Sequence, residues 1–136
     1  MPKVSIMFPS YNHEKYVEAA LSSIMSQTMQ DFEVIASDDC STDETAAIIE
    51  SFRDERIHFH RFAKHVGPTE NHKYCWEHCT GAYIALLNSD DVWLPNHLED
   101  SVMYLDAHPE CGAGFTCAVN DLKRITAIPE HTLVWQ

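Results

Sequence analysis

Short runs of β-branched and apolar residues alternate with amphipathic segments along this chain. Each run has about the length of one strand, and the segments between them repeat their apolar residues at helical spacing. The predicted strands are Lys3–Phe8, Phe32–Ser37, Ile57–Arg61, Tyr83–Leu87 and Cys111–Val119. Strands that alternate with helices favour a mostly parallel sheet with helices on both faces. The sequence therefore predicts an α/β, Rossmann-like fold.

The segments between the strands carry helix signals of their own. The predicted helices are Glu14–Gln27, Ser41–Phe52, Thr69–His78 and a segment from Pro95 to about His108. The second opens with Ser41 and, three residues later, Glu44, which is the pattern of a capping box. The composition of Tyr83–Leu87 indicates a strand that is buried on both faces.

Size and charge limit the classes of protein to consider. The chain has 136 residues and a formal net charge of -12, which fits one domain with a core over about residues 3–119 and an unassigned tail, 120–136. A chain this acidic is a poor partner for a phosphate backbone, so no nucleic-acid partner is expected. The longest apolar stretch, Ala82–Leu87, is too short for a transmembrane segment, and the N-terminus lacks the pattern of a secretory signal. A cytoplasmic location with reduced cysteines is therefore expected.

Acidic pairs follow two of the predicted strands directly. Asp38-Asp39 closes the second strand, and Asp90-Asp91 comes just after the fourth, preceded by Asn88-Ser89. Neighbouring carboxylates repel each other and are costly to bury, so a cation or a hydrogen-bonding ligand usually completes such a site. Ligands of open α/β sheets bind at the carboxyl ends of the strands. These pairs should therefore share one crevice with Pro9-Ser10-Tyr11-Asn12, which follows the first strand.

The three loops together suit a nucleoside diphosphate. Tyr11 can stack on a base, and a carboxylate after the second strand can accept a hydrogen bond from a base N–H. Asp90 and Asp91 can hold Mg²⁺ or Mn²⁺ against a pyrophosphate, because these hard cations prefer oxygen ligands. Acidic pairs in loops are also common as solvated turn residues or helix caps, and a single Tyr can be an ordinary packed aromatic.

Three motifs stand in the order and spacing of a known family. They are Pro9-Ser10-Tyr11-Asn12, the run from Asp38 to Thr45, and Leu86-Leu87-Asn88-Ser89-Asp90-Asp91-Val92-Trp93-Leu94-Pro95. With Gly67 and Asn71 between them, the chain resembles family 2 glycosyltransferases over about residues 3–119. The resemblance implies the nucleotide-diphospho-sugar transferase (GT-A) fold and a divalent cofactor, Mn²⁺ or Mg²⁺. It also implies inverting transfer of a sugar from a nucleoside-diphosphate sugar, in the first place a UDP-sugar, to a glycan or lipid-linked acceptor. Asn71 and Trp93 are similar to those of bacterial transferases that decorate surface polysaccharides.

The resemblance also implies roles for individual residues. Pro9 and Tyr11 would line the nucleobase pocket, and Asp39, with Asp38 beside it, would accept a hydrogen bond from the base. The implied nucleotide-binding residues are Pro9, Ser10, Tyr11, Asp38, Asp39, Asn71, Asn88 and Asp90, and the implied metal ligands are Asp91 and Asp90. Two registers of the metal motif stay open. In one, Asp90 contacts the ribose and Asp91 binds the cation, which is the preferred reading; in the other, Asp90 is the metal ligand.

Two departures from the family pattern bear on function. Asn88 stands where many members have Asp, and its amide brings no charge to a metal. The chain is also shorter than family members, whose second half supplies the acceptor site and the catalytic base, an Asp or Glu. The base is therefore expected beyond the C-terminus, and a truncated nucleotide-sugar-binding remnant without transferase activity is the alternative function. An edge or core surface left uncovered in so short a chain would promote association into a homo-oligomer.

One further cluster invites a metal interpretation. His72, Cys75, His78 and Cys79 all fall within one predicted helix. Structural zinc sites usually take their ligands from short Cys-containing loops and separate elements. A helix that buries a cysteine face is therefore the preferred interpretation.

Overall fold

A computed structural model describes residues 1–116 and shows four strands alternating with four helices. The elements are β1 (Val4–Ser10), α1 (Val17–Met25), β2 (Phe32–Asp38), α2 (Thr45–Ser51), β3 (Ile57–Arg61), α3 (Pro68–His78), β4 (Tyr83–Leu86) and α4 (His97–Ala107). All strand pairs are parallel, and the strand order is β3-β2-β1-β4. The predicted α/β fold with a parallel sheet is confirmed.

The chain divides into two compact units, Met1–Glu99 and Asp100–Gln136. The first unit holds the whole sheet, and the boundary falls within α4. The second unit, as far as residue 116, contains the rest of α4 and an irregular segment, and Tyr104 of α4 stacks on His108 just after the helix. The tail 120–136 and the last residues of the predicted core, 117–119, lie outside the described residues, so the single-domain prediction stays a prediction.

Strand β1 is the centre of the sheet. All seven of its residues are buried, and it pairs with β2 from Val4↔Phe32 to Ser10↔Asp38 and with β4 from Val4↔Tyr83 to Met7↔Leu86. A parallel strand that is covered on both faces needs apolar side chains on both, which explains the unbroken run that begins this chain. The register brings the carboxyl ends of β1 and β2 to the same edge of the sheet.

The helices cover opposite faces of the sheet. Crossovers between parallel strands are right-handed in nearly all proteins, so the reversal of direction after β3 places α3 on the face opposite to α1 and α2. On the α3 face, Cys75 packs with Met7 and Ile35. The apolar side chains buried on the other face and on α1 are Ile6, Phe8, Val34, Ala36, Val17, Ala20, Leu21 and Ile24.

The capping box predicted at Ser41 and Glu44 is wrong. Helix α2 begins four residues later than Ser41, at Thr45, and its N-cap residue, Glu44, makes no side-chain cap hydrogen bond. The Ser41 hydroxyl instead donates to Asp38, and Asp43 accepts the N–H of Thr45 at 2.9 Å. Ser41 is thus engaged by the loop after β2, in which Cys40 adopts a positive φ of 56°.

Two predictions about strands need correction. Strand β4 is not fully buried: Ile84 and Leu86 are 41% and 47% exposed, since β4 lies at the edge of the described sheet and its residues alternate between covered and open positions. The predicted strand Cys111–Val119 is irregular from 111 to 116, and its last three residues lie outside the described range. Apolar composition alone does not distinguish a central strand from an edge strand.

Among residues 1–116, no helix has the length and apolarity required to span a membrane.

Candidate functional site

A cavity of about 520 Å³ opens at the carboxyl ends of β1, β2 and β4. The carboxyl ends of β1 and β4 lie where the strand order changes direction, which is the usual ligand-binding position of a doubly wound sheet. The residues that line the cavity are Pro9, Ser10, Tyr11, His13, Asp39, His65, Pro68, Asn71, His72, Asn88, Ser89 and Asp90. Of the predicted site residues, Asp38 and Asp91 are not among them.

Asp38 lies within the protein and is occupied by protein donors. Its carboxylate accepts hydrogen bonds from the Ser10 hydroxyl at 3.0 Å and from the Ser41 N–H at 2.8 Å, and it is fully buried. The guanidinium of Arg61 lies 3.7 Å away and balances its charge. These contacts show a carboxylate that joins the loops after β1 and β2. It therefore supports the site from inside the protein.

Asp39 faces the cavity but is also bound from behind. Its carboxylate accepts the N–H of Val66 at 2.7 Å and the N–H of Gly67 at 3.0 Å. Gly67 is the N-cap of α3, with a φ of 92° that favours glycine. A carboxylate at a helix N-terminus interacts favourably with the unpaired N–H groups and the helix dipole. These interactions offset much of the cost of burying Asp39, which is only 1% exposed.

An aromatic pair lies next to Asp39. The rings of Tyr11 and His65 are 4.7 Å apart between centroids and tilted by 35°. The Nδ1 atom of His65 is 3.0 Å from Oδ2 of Asp39. Tyr11 is 42% exposed and its ring lines the cavity.

Asn71 positions the floor of the cavity from α3. Its side-chain amide donates to the carbonyl of Ser10 at 3.1 Å and its carbonyl oxygen accepts from the Ser37 hydroxyl. Because Asn71 is buried and both ends of its amide are paired, it links α3 to the ends of β1 and β2. The predicted Asn71 therefore lies at the site, in a position suited to fixing the cavity wall.

The loop after β4 is joined to the loop after β1 through a histidine. Nδ1 of His13 is 2.7 Å from the hydroxyl of the buried Ser89, and Nε2 lies 4.0 Å from Oδ2 of Asp90. Asn12, with a φ of 49°, turns the chain so that its side-chain oxygen accepts the N–H of Thr42 at 2.9 Å. All three strand-end loops are therefore connected to one another by side chains.

The acidic loop after β4 is a tight turn. The N–H of Asp91 donates to the carbonyl of Asn88 at 3.1 Å, and the side-chain amide of Asn88 is 3.5 Å from Oδ2 of Asp91. Within the described part of the chain, no group of three or more His, Cys, Asp or Glu residues is arranged to hold a metal ion. Asp90 and Asp91 fit a Mg²⁺ or Mn²⁺ site in which ligand phosphates and water supply the other oxygens, as is common for these ions.

The helix α3 carries no metal cluster either. His72 and His78 use their Nδ1 atoms on the helix carbonyls of Pro68 and Tyr74, at 2.8 and 2.7 Å. Burial raises the pKa of the Cys75 thiol, against an opposing hydrogen bond with Ser37, and raises the pKa of Cys79 to about 11. Both thiols therefore stay protonated at neutral pH, which is consistent with the buried cysteine face predicted for this helix.

Sequence reasoning did not predict the three histidines that line the cavity, His13, His65 and His72, as residues of this site. His13 directly follows the Pro9–Asn12 motif, and its position next to a strand-end loop was a usable signal. His65 belongs to the loop before α3, and no local pattern distinguishes it from the other histidines of the chain. Only the crossover to the opposite face of the sheet brings it to Asp39.

The family model for glycosyl transferase family 2 matches residues 5–131. The chain belongs to glycosyl transferase family 2. The resemblance stated from the three motifs is thereby confirmed.

Relatives within the family share the matched region. WfgD of Escherichia coli, named a UDP-Glc:alpha-D-GlcNAc-diphosphoundecaprenol beta-1,3-glucosyltransferase, is 38% identical over 98 residues, which are 71% of this chain and 38% of WfgD. TarS of Staphylococcus aureus, named a poly(ribitol-phosphate) beta-N-acetylglucosaminyltransferase, is 31% identical over 112 residues, 79% of this chain and 20% of TarS.

The fold of this family 2 chain also agrees with a solved structure. The crystal structure of S. aureus TarS 1-349 in complex with UDP-GlcNAc matches with a TM-score of 0.74 and 31% identity, over 79% of this chain and 32% of that one. The chain thus has the GT-A fold and spans less than half the length of the relatives that it matches.

Proposed function

We propose that this chain binds the sugar donor of a family 2 glycosyltransferase, a UDP-sugar, and serves transfer of the sugar to a glycan or lipid-linked acceptor. The observation that carries the proposal is the single cavity in which Tyr11 and Asp39 meet the acidic loop of Asp90. An aromatic ring and a carboxylate suit a base, and an acidic loop suits a metal-bound diphosphate. WfgD has UDP-Glc in its name and TarS has been crystallised with UDP-GlcNAc, which favours a uridine nucleotide.

The base end of the proposed site consists of Tyr11, Pro9 and Asp39. A carboxylate offers about four acceptor positions, and the backbone N–H groups of Val66 and Gly67 use two of those on Asp39. The remaining positions allow Asp39 to accept the N3–H of uracil while it stays bound to the start of α3. Asp38 and Asn71 would hold this arrangement from beneath, through Ser10.

The diphosphate end consists of Asn88, Asp90 and Asp91 with a divalent cation. When bound, Mn²⁺ or Mg²⁺ would stabilise the negative charge of the departing nucleoside diphosphate. Asp90 lines the cavity and Asp91 lies one residue beyond it, so both remain proposed ligands. His13 would hold the loop of Asp90 in place through Ser89.

Transfer itself requires a general base, and none of the described residues is assigned to that role. In the proposed inverting reaction, an acceptor oxygen attacks the anomeric carbon, the nucleoside diphosphate leaves, and an Asp or Glu takes the proton of the acceptor hydroxyl. The matched region makes up less than half the length of these relatives, so the base and acceptor site are proposed to lie in a part of the protein that this chain does not span. A binding module without transfer is the second candidate, because all the residues that line the cavity fall within residues 1–99.

Calorimetry with UDP, in Mn²⁺ and in chelator, tests the donor site. We expect Asp39→Asn to weaken UDP binding roughly tenfold or more in both conditions, since a hydrogen bond to a charged group is lost. Asp91→Asn should reduce only the increment that Mn²⁺ adds. Asp90→Asn should do the same if Asp90 is the metal ligand, and should also weaken binding in chelator if Asp90 contacts the ribose.

Asp31→Asn is the matched control, because Asp31 is exposed and does not line the cavity. Unchanged UDP binding in Asp39→Asn, or the absence of any UDP binding by the wild-type chain, would contradict the proposal. Release of UDP from a UDP-sugar in the presence of acceptor then separates a transferase from a binding module.

A further inference from the structure

His65 makes two contacts within the proposed base pocket. Its ring lies against Tyr11, with centroids 4.7 Å apart, and its Nδ1 atom is 3.0 Å from Oδ2 of Asp39. This distance places the imidazole next to the carboxylate, and the two form an ion pair when the ring is protonated. The imidazole is therefore a flat heterocycle that lies tilted against Tyr11 and places a ring nitrogen beside the carboxylate of Asp39.

These are the same two contacts that the proposed function assigns to uracil. We propose that His65 is a built-in competitor for the nucleobase, whose ring occupies the base position until a nucleotide displaces it. This inference rests on the proposed function, because it needs Tyr11 and Asp39 to be the base contacts. It adds a residue that sets donor affinity and that the three sequence motifs do not include.

The surroundings of His65 allow its ring to leave without disturbing the site. Its side chain is 56% exposed, so no tight packing holds it. The next two residues, Val66 and Gly67, keep their own hydrogen bonds from backbone to Asp39. A rotation of the His65 side chain therefore frees the face of Tyr11 and one acceptor position of Asp39 while the backbone and the carboxylate stay in place.

The sign of the effect on affinity distinguishes this role from its alternative. If the ring must leave, apparent UDP affinity is reduced by the fraction of molecules in which His65 fills the pocket. If the ring instead moves to the far side of the base and sandwiches it against Tyr11, His65 adds to affinity. Removing the imidazole strengthens UDP binding in the first case and weakens it in the second.

Calorimetry of UDP binding to the full chain provides the test. We expect His65→Ala to lower the dissociation constant for UDP by roughly 3- to 10-fold, as the competing state is removed. His58→Ala is the matched control: His58 also lies near a carboxylate, 3.7 Å from Glu33, but does not line the cavity. An unchanged or higher dissociation constant in His65→Ala, with UDP still bound by the wild type, overturns the inference and leaves the proposed function intact.

A spectroscopic readout tests the geometry separately. We expect a nuclear Overhauser effect between the ring protons of Tyr11 and His65 in the free chain, and its loss when UDP is added. Its persistence in the UDP-bound chain overturns the competitor role. If UDP binds neither the wild type nor His65→Ala, the proposed function is overturned, and the inference with it.

Discussion

The hydroxyl of Ser5 holds the start of β4 against β1. Its oxygen accepts the N–H groups of Thr80 and Gly81 at 3.0 and 2.7 Å, and its proton goes to Glu33. A Cβ atom at Gly81 would lie 2.6 Å from the backbone nitrogen of Ser5. The close approach of two backbones therefore requires glycine here, and the register of the strand that carries the acidic loop depends on it.

Gly81→Ala should destabilise the chain because the backbone of β1 cannot move aside without disturbing the centre of the sheet. We expect a loss of about 1–3 kcal/mol in the free energy of unfolding, as in overpacked cores, measured by urea denaturation. Gly112→Ala is the control, since a Cβ there meets no atom within 4 Å. Equal stability of the two variants would contradict the assigned contact.

At the scale of single residues, the sequence located the site better than it assigned the roles. The predicted Tyr11, Asp39 and Asp90 line one cavity, as expected for loops at the same sheet edge. The sequence pattern does not show which of two adjacent aspartates faces the cavity. Whether Asp38 or Asp39 is enclosed by the protein depends on where β2 ends. Their nucleotide-binding roles stay predictions until the variants are measured.

Arg56 connects the turn before β3 to the start of β2. Its guanidinium bonds both oxygens of Asp54, at 3.0 and 2.7 Å, and lies 4.5 Å from the ring centre of Phe32. It also donates to the side chain of Gln30 at 2.7 Å. The hydrogen bonds from Arg56 lower the pKa of Asp54 from 3.8 to about 2. One side chain thus joins two elements that are adjacent in the sheet.

The Arg56 contact should contribute stability that depends on pH. Because the pKa of Asp54 is lower in the folded chain, the contribution is present above pH 3.8 and is lost as pH falls through about 2. We expect Arg56→Met to lower the melting temperature by about 2–5 °C near neutral pH, and by progressively less towards pH 2. Arg53→Met, at an exposed arginine of the same loop, is the control. A difference that does not shrink in acid would contradict this account.

At the scale of elements, periodicity predicted the order and type of the strands and helices, and it failed where tertiary contacts decide. All four described strands and four helices were expected within a few residues. The Ser41 to Glu44 pattern is locally valid as a capping box. The Ser41 hydroxyl, however, already donates to Asp38 and accepts the N–H of Asn12. Likewise, nothing within Tyr83–Leu87 reveals that β4 has a neighbour on one side only in the described sheet.

The whole molecule combines a net charge of -12 with an open apolar face on β4. Charge repulsion opposes self-association at low ionic strength, and salt screens it. An exposed apolar strand face at a sheet edge favours association once the repulsion is screened. These two features together predict that association into a homo-oligomer increases with salt concentration.

Sedimentation velocity at low and high salt tests this prediction. We expect the weight-average sedimentation coefficient of the wild type to rise with salt and with protein concentration. The double variant Ile84→Thr, Leu86→Thr should stay at the monomer value, because it removes the apolar side chains from the open face. Met103→Thr is the control, as Met103 is 66% exposed but lies on α4. Salt-dependent association that persists in the double variant would place the contact elsewhere.

The central position of β1 has a consequence for the order of folding. Its partners begin at Phe32 on one side and at Tyr83 on the other, so a ribosome must deliver more than half of this chain before the middle strand can be enclosed. Pairings between such distant residues form slowly, because the entropy cost of closing a long loop precedes the stabilising contacts. Until then one edge of β1 lacks the partner strand that pairs with its backbone from Val4 to Met7, and an unpaired edge is open to pairing with other chains.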